Sequence, residues 1–288
     1  MSTAGVRLGV TLPSLQGDPE LALAAARIAD AGGLDGVFVF DHLFRESEGL
    51  RRPSHEMGVM LGAVAAETTR VTLGPLAARA TVRPGAELAA VLETAARLAP
   101  GRFVATLGAG DRESEAEQRA FGLEVGTVDS RLEALERSVV LARGRGFPVW
   151  VGGTLGRVRD LAARAADGWN AWNLDVHEFR RLAAATQQAR AALVEEGREA
   201  GEFACSWGGL VLVGDSDADA TARLRRRAGG ADRDDVIHGS VERVADRLAR
   251  VVEAGAAWIV VALLDSSDLD AHRVLAEAVA PALRSRVS

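Results

Sequence analysis

The residues best suited to chemistry in this chain stand at the abrupt ends of apolar runs. Residues 34–42 read LDGVFVFDH, an almost wholly apolar stretch closed by Asp41 and His42. An apolar run of that length reads as a strand buried on both faces, and ionisable residues at the C-terminal end of such a strand are where barrel and open-sheet enzymes keep their chemistry. An imidazole, with an ordinary pKa of about 6.5, can give or take a proton near neutrality. The plainer alternative is that Asp41 caps the following segment and His42 is a satisfied strand-edge histidine. A second run ends in Gly152-Gly153-Thr154-Leu155-Gly156, ahead of a helical pattern. Glycines there let backbone N–H groups approach an anion, and a helix N-terminus adds partial positive charge. A plain strand-to-helix turn would use the same residues.

These residues need a scaffold, and alternating patterns supply one. Strand-like runs at 7–12, 36–40, 71–77, 103–108, 149–152, 168–172, 206–213 and 257–263 are each followed by a helical period. The helical segments are 20–31, 55–67, 87–98, 131–143, 157–166, 176–196, 217–228 and 241–253, with a last one at 269–283. Asp18-Pro19, Arg83-Pro84 and Ser240 mark helix starts. Eight β-then-α units predict a parallel (β/α)8 TIM barrel formed as one domain over residues 1–288. The rival open doubly wound sheet lacks its Gly-x-Gly-x-x-Gly after the first strand.

Composition removes several classes. The 34 basic residues are all arginine, which excludes Schiff-base lysine chemistry and a Walker phosphate loop. A formal charge of −6 gives no chain-wide attraction to nucleic acid or an acidic surface. No run of 18 apolar residues suggests a membrane span. The N-terminus lacks a secretory layout. The single Cys205 allows neither an internal disulfide nor a cysteine-based zinc site. A cytoplasmic protein is expected. His177, His238 and His272 have no metal-ligand spacing, so no metal is expected.

With the strands placed, the chain resembles the luciferase-like monooxygenase superfamily, in particular its branch dependent on the deazaflavin coenzyme F-420 (F420). The resemblance rests on LGVTLP and DGVFVFDH at the start, ETTRVTLGPLAARATVRPG and GRFVATLGAGDRESEAEQRAFG in the middle, and VDSRLEALE, PVWVGGTLGRVRDLAARAADGWNAWN and GSVERVADRLARVVEAGAAWIVV downstream. It implies a luciferase-like barrel with F420 across its C-terminal mouth, exchanging hydride with an organic substrate. Reduced flavin mononucleotide (FMN) with oxygen is the alternative, and a separate reductase would then supply the reduced cofactor. Deazaflavin does not readily activate oxygen, so the cofactor decides the reaction. A barrel that has lost catalysis and only binds or carries a ligand is the reading from another class.

The resemblance also implies site residues. His42 would shuttle the substrate proton, with Asp41 beside the cofactor. Glu113 would assist as an acid, although Glu113, Glu115 and Glu117 equally suit the acidic first turn of a helix. Leu76 and Ala77 would support the cofactor ring at a bulge that in this family often holds a non-prolyl cis peptide. Thr106 and Gly108 end the next strand under the same cofactor. Gly152, Gly153, Thr154 and Gly156 would hold its phosphate, with Arg79 and Arg157 as charge partners, and Asn170 would read a ring edge. Trp169 and Cys205 read as core. The stretch from Asp111 to Pro148 is short for this family, which predicts an open mouth. Apolar excess in MGVMLGAVAA and LAAVLETAARLA, with the family habit of pairing there, predicts a homodimer.

Overall fold

The computed structural model describes residues 5–15, 17–47, 50–111, 114–197, 201–231 and 233–287. Among them, eight parallel strand positions form a nearly closed barrel. They are β1 (Arg7–Thr11), β2 (Gly36–Val39), the pair β5 (Thr72–Pro75) and β6 (Ala78–Arg79), β7 (Ala105–Gly108), β8 (Val149–Gly152), β9 (Gly168–Trp172), β10 (Ala204–Val213) and β12 (Trp258–Leu263). The hydrogen-bonded order is β5-β2-β1-β12-β10-β9-β8-β7-β6. The third position is split because Pro75 has no N–H to continue a ladder. β5 therefore pairs with β2, and after the cis Leu76–Ala77 peptide the chain resumes as β6 against β7. At the closing seam Gly74 lies so near β7 that a Cβ would stand 1.9 Å from the Val104 carbonyl oxygen. Only glycine fits there.

Helices wrap the outside as the 3.6-residue periodicity predicts. They include α1 (Pro19–Gly32), α2 (Met57–Glu67), α3 (Gly85–Leu98), α5 (Val128–Ala142), α6 (Gly156–Ala165), α7 (Val176–Glu195) and α9 (Val241–Glu253). Their buried stripes and the outward strand residues make one continuous core, while Phe38, Leu76, Val104, Trp150, Ala204, Trp258 and Val260 fill the lumen. Large rings there face glycines: a Cβ at Gly36 would meet Trp258, and one at Gly168 would meet Trp150. The lower barrel is thus packed shut, as filled barrels are.

Three features depart from the sequence expectation. A hairpin of β3 (Phe44–Ser47) and β4 (Leu50–Pro53) follows β2. A short helix α4 (Glu115–Ala120) follows β7, and after the expected helix α8 (Asp217–Arg227) a strand β11 (Val236–Gly239) pairs in parallel with β10. The last expected helix is α10 (Leu269–Val274), a π-type turn (Leu275–Val279) and α11 (Ala280–Val287). No described helix is long and apolar enough to cross a membrane.

Candidate functional site at the barrel mouth

His42 leaves the end of β2 half-buried, with Nδ1 2.8 Å from Glu117 Oε1. A carboxylate only accepts, so Nδ1 is the protonated nitrogen and Nε2 remains to exchange a proton with another molecule. Glu117, on α4, is 3% exposed and engaged by both oxygens. Oε1 also accepts from Arg79 Nη1 at 2.8 Å, and Oε2 accepts from the backbone N–H groups of Leu43 (2.6 Å) and Phe44 (3.3 Å). Burial pushes the Glu117 carboxyl up. The bonds from His42 and the Leu43 N–H, with the Arg79 charge, outweigh it and hold the group below its ordinary range. A carboxylate ionised at neutral pH and hydrogen-bonded through both oxygens is a rigid holder for an imidazole.

Glu117 is the residue that sequence reading passed over. Glu113 lies outside the described residues, and it is Glu117 that the fold brings to His42. One available signal was its spacing: Glu117 stands four residues before Phe121, the C-cap of α4. Phe121 stacks on Phe44 at 6.2 Å, beside the N–H groups that Glu117 accepts.

Asp41 is buried inside the protein rather than offered to a ligand. Its Oδ2 accepts from the Arg79 N–H at 2.8 Å, and both its oxygens accept from Arg83 at about 3 Å. This ties the end of β2 to the segment following β6. Arg79, expected as a phosphate partner, is itself buried and directed to Glu117, and its Nε and Nη2 have no hydrogen-bond partner. Asn170 is buried and donates to Ser206 Oγ at 3.0 Å. Arg157 is exposed and bonds Asp129 at 2.5 Å on the outer surface. Each of these four bonds to neighbouring residues in this structure.

Of the remaining expected residues, Ala77, Gly152 and Gly153 are partly exposed, Thr154 and Gly156 are exposed, and Leu76, Thr106 and Gly108 are buried. Leu76 is buried in the lumen beneath Ala77. An added Cβ at Gly108 would stand 3.4 Å from Ala77 Cβ, and one at Gly152 would stand 3.7 Å from it. Ala77, Gly108 and Gly152 thus form a shelf of backbone and methyl groups at the strand ends. Thr106 Oγ1, beside Gly152, is buried with no hydrogen-bond partner. The following turn is fixed from below: Trp169 Nε1 donates to the Gly153 carbonyl at 2.7 Å, and Gly153 N–H donates to the Asn170 carbonyl at 3.0 Å. Gly153 has φ +136°, a conformation that glycine alone adopts without strain. Thr154 and Gly156 are exposed, and no side chain caps α6, so the first N–H groups of that helix stay available to an acceptor. Trp169 is core, stacked on Phe179. Cys205 is buried, and burial pushes its thiol up to about 12, so it is not a nucleophile at neutral pH. Among the described residues no group of three or more His, Cys, Asp or Glu is placed to hold a metal.

A flat polycyclic cofactor with a phosphate tail suits this geometry: the shelf is small-sided, the Thr106 hydroxyl lacks a partner, and the uncapped α6 terminus offers donors. Known proteins agree in kind. Residues 4–144 and 135–234 match the family model for luciferase-like monooxygenases. A stretch of 117 residues is 38% identical to an F420-dependent glucose-6-phosphate dehydrogenase of Beutenbergia cavernae, covering 38% of this chain and about a third of that protein. By structure, the chain is similar to an F420-dependent secondary alcohol dehydrogenase (TM-score 0.79, 18% identity, 97% of this chain and 99% of that one). It is equally similar to the EDTA monooxygenase of Chelativorans sp. BNC1 (TM-score 0.79, 17% identity, 99% and 95%). A third likeness is to the coenzyme F420-dependent tetrahydromethanopterin reductase of Methanopyrus kandleri (TM-score 0.73, 16% identity, 96% and 99%). Those structural likenesses establish the shared barrel, and the family model, spanning most of the chain, establishes more: this chain belongs to the luciferase-like monooxygenase family.

Proposed function

We propose that the protein is an oxidoreductase that binds F420 at the barrel mouth and exchanges hydride with a small organic substrate. The carrying observation is His42, held by Glu117, which Arg79 in turn bonds, at the same mouth as the Ala77–Gly108–Gly152 shelf. Arg79 lies two residues beyond Ala77, so the acid–base group and the shelf are fastened to one segment. When bound, the deazaflavin supplies a two-electron site that accepts or donates hydride. The chain does the rest. Ala77, Gly108 and Gly152 support the ring, Gly153, Thr154 and Gly156 hold its phosphate, and Nε2 of His42 takes or returns the proton at the substrate oxygen. Glu117 keeps the imidazole in the tautomer that leaves Nε2 available.

Separate titrations of the purified protein with F420 and with FMN, followed by cofactor fluorescence, test this. Micromolar or tighter binding of F420 and not FMN is expected. Preference for FMN would replace the reading with that of a reduced-flavin monooxygenase served by a reductase. Binding of neither would favour a non-catalytic barrel.

The protein is further proposed to act as a homodimer in the cytoplasm. α2 is apolar all round rather than along one stripe, and its Val59 is 71% exposed while Leu98 of α3 is 55% exposed. Such a face calls for a cover. Sedimentation at micromolar concentration should give twice the chain mass, and Val59→Glu should halve it.

A further inference from the structure

Away from the small-sided shelf, the mouth is aromatic. Phe40, just beyond β2, meets Trp172 of β9 edge to face at 5.7 Å, and lies 6.0 Å from the His42 ring. β2 and β9 are not neighbours in the sheet, so Phe40 and Trp172 meet across the barrel axis. Trp172 lies against β10 at Gly208, where a Cβ would stand 2.4 Å from Trp172 Cε3. Both rings stay partly exposed, whereas Trp150, Trp169, Trp207 and Trp258 are buried. The result is an aromatic floor that starts at the proton-exchanging histidine.

Several arginines near the mouth are already paired with carboxylates. The chain has no lysine. Of the arginines on segments that follow strand ends, Arg79 faces Glu117 and Arg83 faces Asp41 and Glu56. Arg223 and Arg227 both face Asp265, and Arg233 faces Asp235. The rings of this floor offer a phosphate ester no charged donor, and the arginines named here are engaged by carboxylates.

Building on the F420 reading above, we propose that the substrate is an uncharged alcohol or ketone with an apolar, preferably aryl, group beside the reacting carbon. Its flank rests on Phe40 and Trp172 and its oxygen meets His42. A sugar phosphate is not the substrate. Aromatic rings reward flat apolar groups with contact area and edge or face geometry that a phosphate cannot use.

Trp172 is the built-in reporter, because the other four tryptophans are buried. The cofactor-free protein is titrated with 1-phenylethanol while tryptophan emission is followed, then challenged with glucose 6-phosphate. A saturable change that glucose 6-phosphate does not reverse is expected. Trp172→Phe should lose the signal. Phe40→Ala should weaken binding roughly tenfold, the scale of one aromatic contact, while Phe40→Leu, which keeps apolar contact, should stay close to wild type. Thermal melts of each variant confirm folding. No response to the aryl alcohol, an unaltered affinity in folded Phe40→Ala, or displacement by glucose 6-phosphate overturns the proposal. The F420 titration on the same protein separates the two readings. Bound F420 with oxidation of glucose 6-phosphate sinks only the substrate class. Aryl alcohol binding without F420 binding sinks only the cofactor.

Discussion

The end of β2 and the turn after β8 both sit at the mouth, and they are built on opposite rules. Around Asp41, His42, Arg79, Arg83 and Glu117 both carboxylates are engaged through both oxygens within the protein, while Nε and Nη2 of Arg79 have no partner. At Gly153–Gly156 the backbone is exposed, and the helix behind it has no side-chain cap. A side chain that must exchange a proton needs one orientation, which a closed network imposes. A turn that receives an anion needs unmatched donors in a fixed shape, which closure would remove. One region is rigid because it is satisfied, the other because Trp169 and Asn170 hold it from below.

The largest effect should come from Nε2 of His42. His42→Ala is expected to lower turnover per bound cofactor about 10²–10⁴-fold, the usual share of general acid–base catalysis. His42→Asn, which keeps polarity but cannot titrate near neutrality, should fall in the same range while cofactor affinity changes little. Near-wild-type turnover in folded His42→Asn would remove the residue from the mechanism.

Asp41 comes next, and its effect should fall on folding. Asp41→Ala leaves Arg83 facing only Glu56 and the Arg79 N–H without its acceptor. Breaking a buried pair of this kind costs about 3–5 kcal/mol, read as a lower urea midpoint. A loss of activity with unchanged stability would mean that Asp41 touches the cofactor after all.

The open turn should respond in cofactor affinity as well as in stability. Gly153→Ala forces an L-residue into φ +136° and brings a Cβ to 3.1 Å from Val158 Cγ1, a strain of about 1–3 kcal/mol. Cofactor binding is expected to weaken roughly tenfold. Arg157→Ala is the control: its guanidinium already bonds Asp129 on the outer face, so it should change affinity less. A larger loss from Arg157→Ala than from Gly153→Ala would reverse the assignment of the phosphate to the backbone.

Much of this was legible in the sequence, for physical reasons that differ by region. The eight strand positions stood out because strands buried on both faces are nearly continuous apolar runs. Asp41 and His42 stood out because they interrupt one. The glycine turn was visible because closely spaced glycines between an apolar run and a helical period mark a turn with accessible backbone. Glu117 was hidden because acids at 113, 115 and 117 look alike until a helix start fixes which points inward. The β3–β4 hairpin was hidden too, since FRES and LRRP lack β-branched alternation. What Arg79 and Asn170 bond to is set by contacts between distant segments, with Glu117 38 positions from Arg79 and Ser206 36 from Asn170. No local pattern carries that.

The smallest effect tests how tightly the His42 network is bound into folding. Glu117 is held below its ordinary pKa of 4.5 in the folded chain, while in the unfolded chain it returns to that value. A carboxyl depressed by folding adds stability that is fully present above its unfolded pKa and is lost as pH falls through its folded pKa. The unfolded chain takes up the proton first, so the fold loses this contribution on acidification, below pH about 5. The wild type should therefore show a falling urea midpoint over that acid range. Glu117→Gln, which carries no titrating carboxyl there, should be less stable at neutral pH and show a shallower acid slope. Above pH about 6 the two curves should run parallel, because Glu117 is ionised in both states. Equal acid slopes would mean that Glu117 is no better held in the fold than in the open chain. The satisfied region would then owe its rigidity to Asp41 and Arg83 instead.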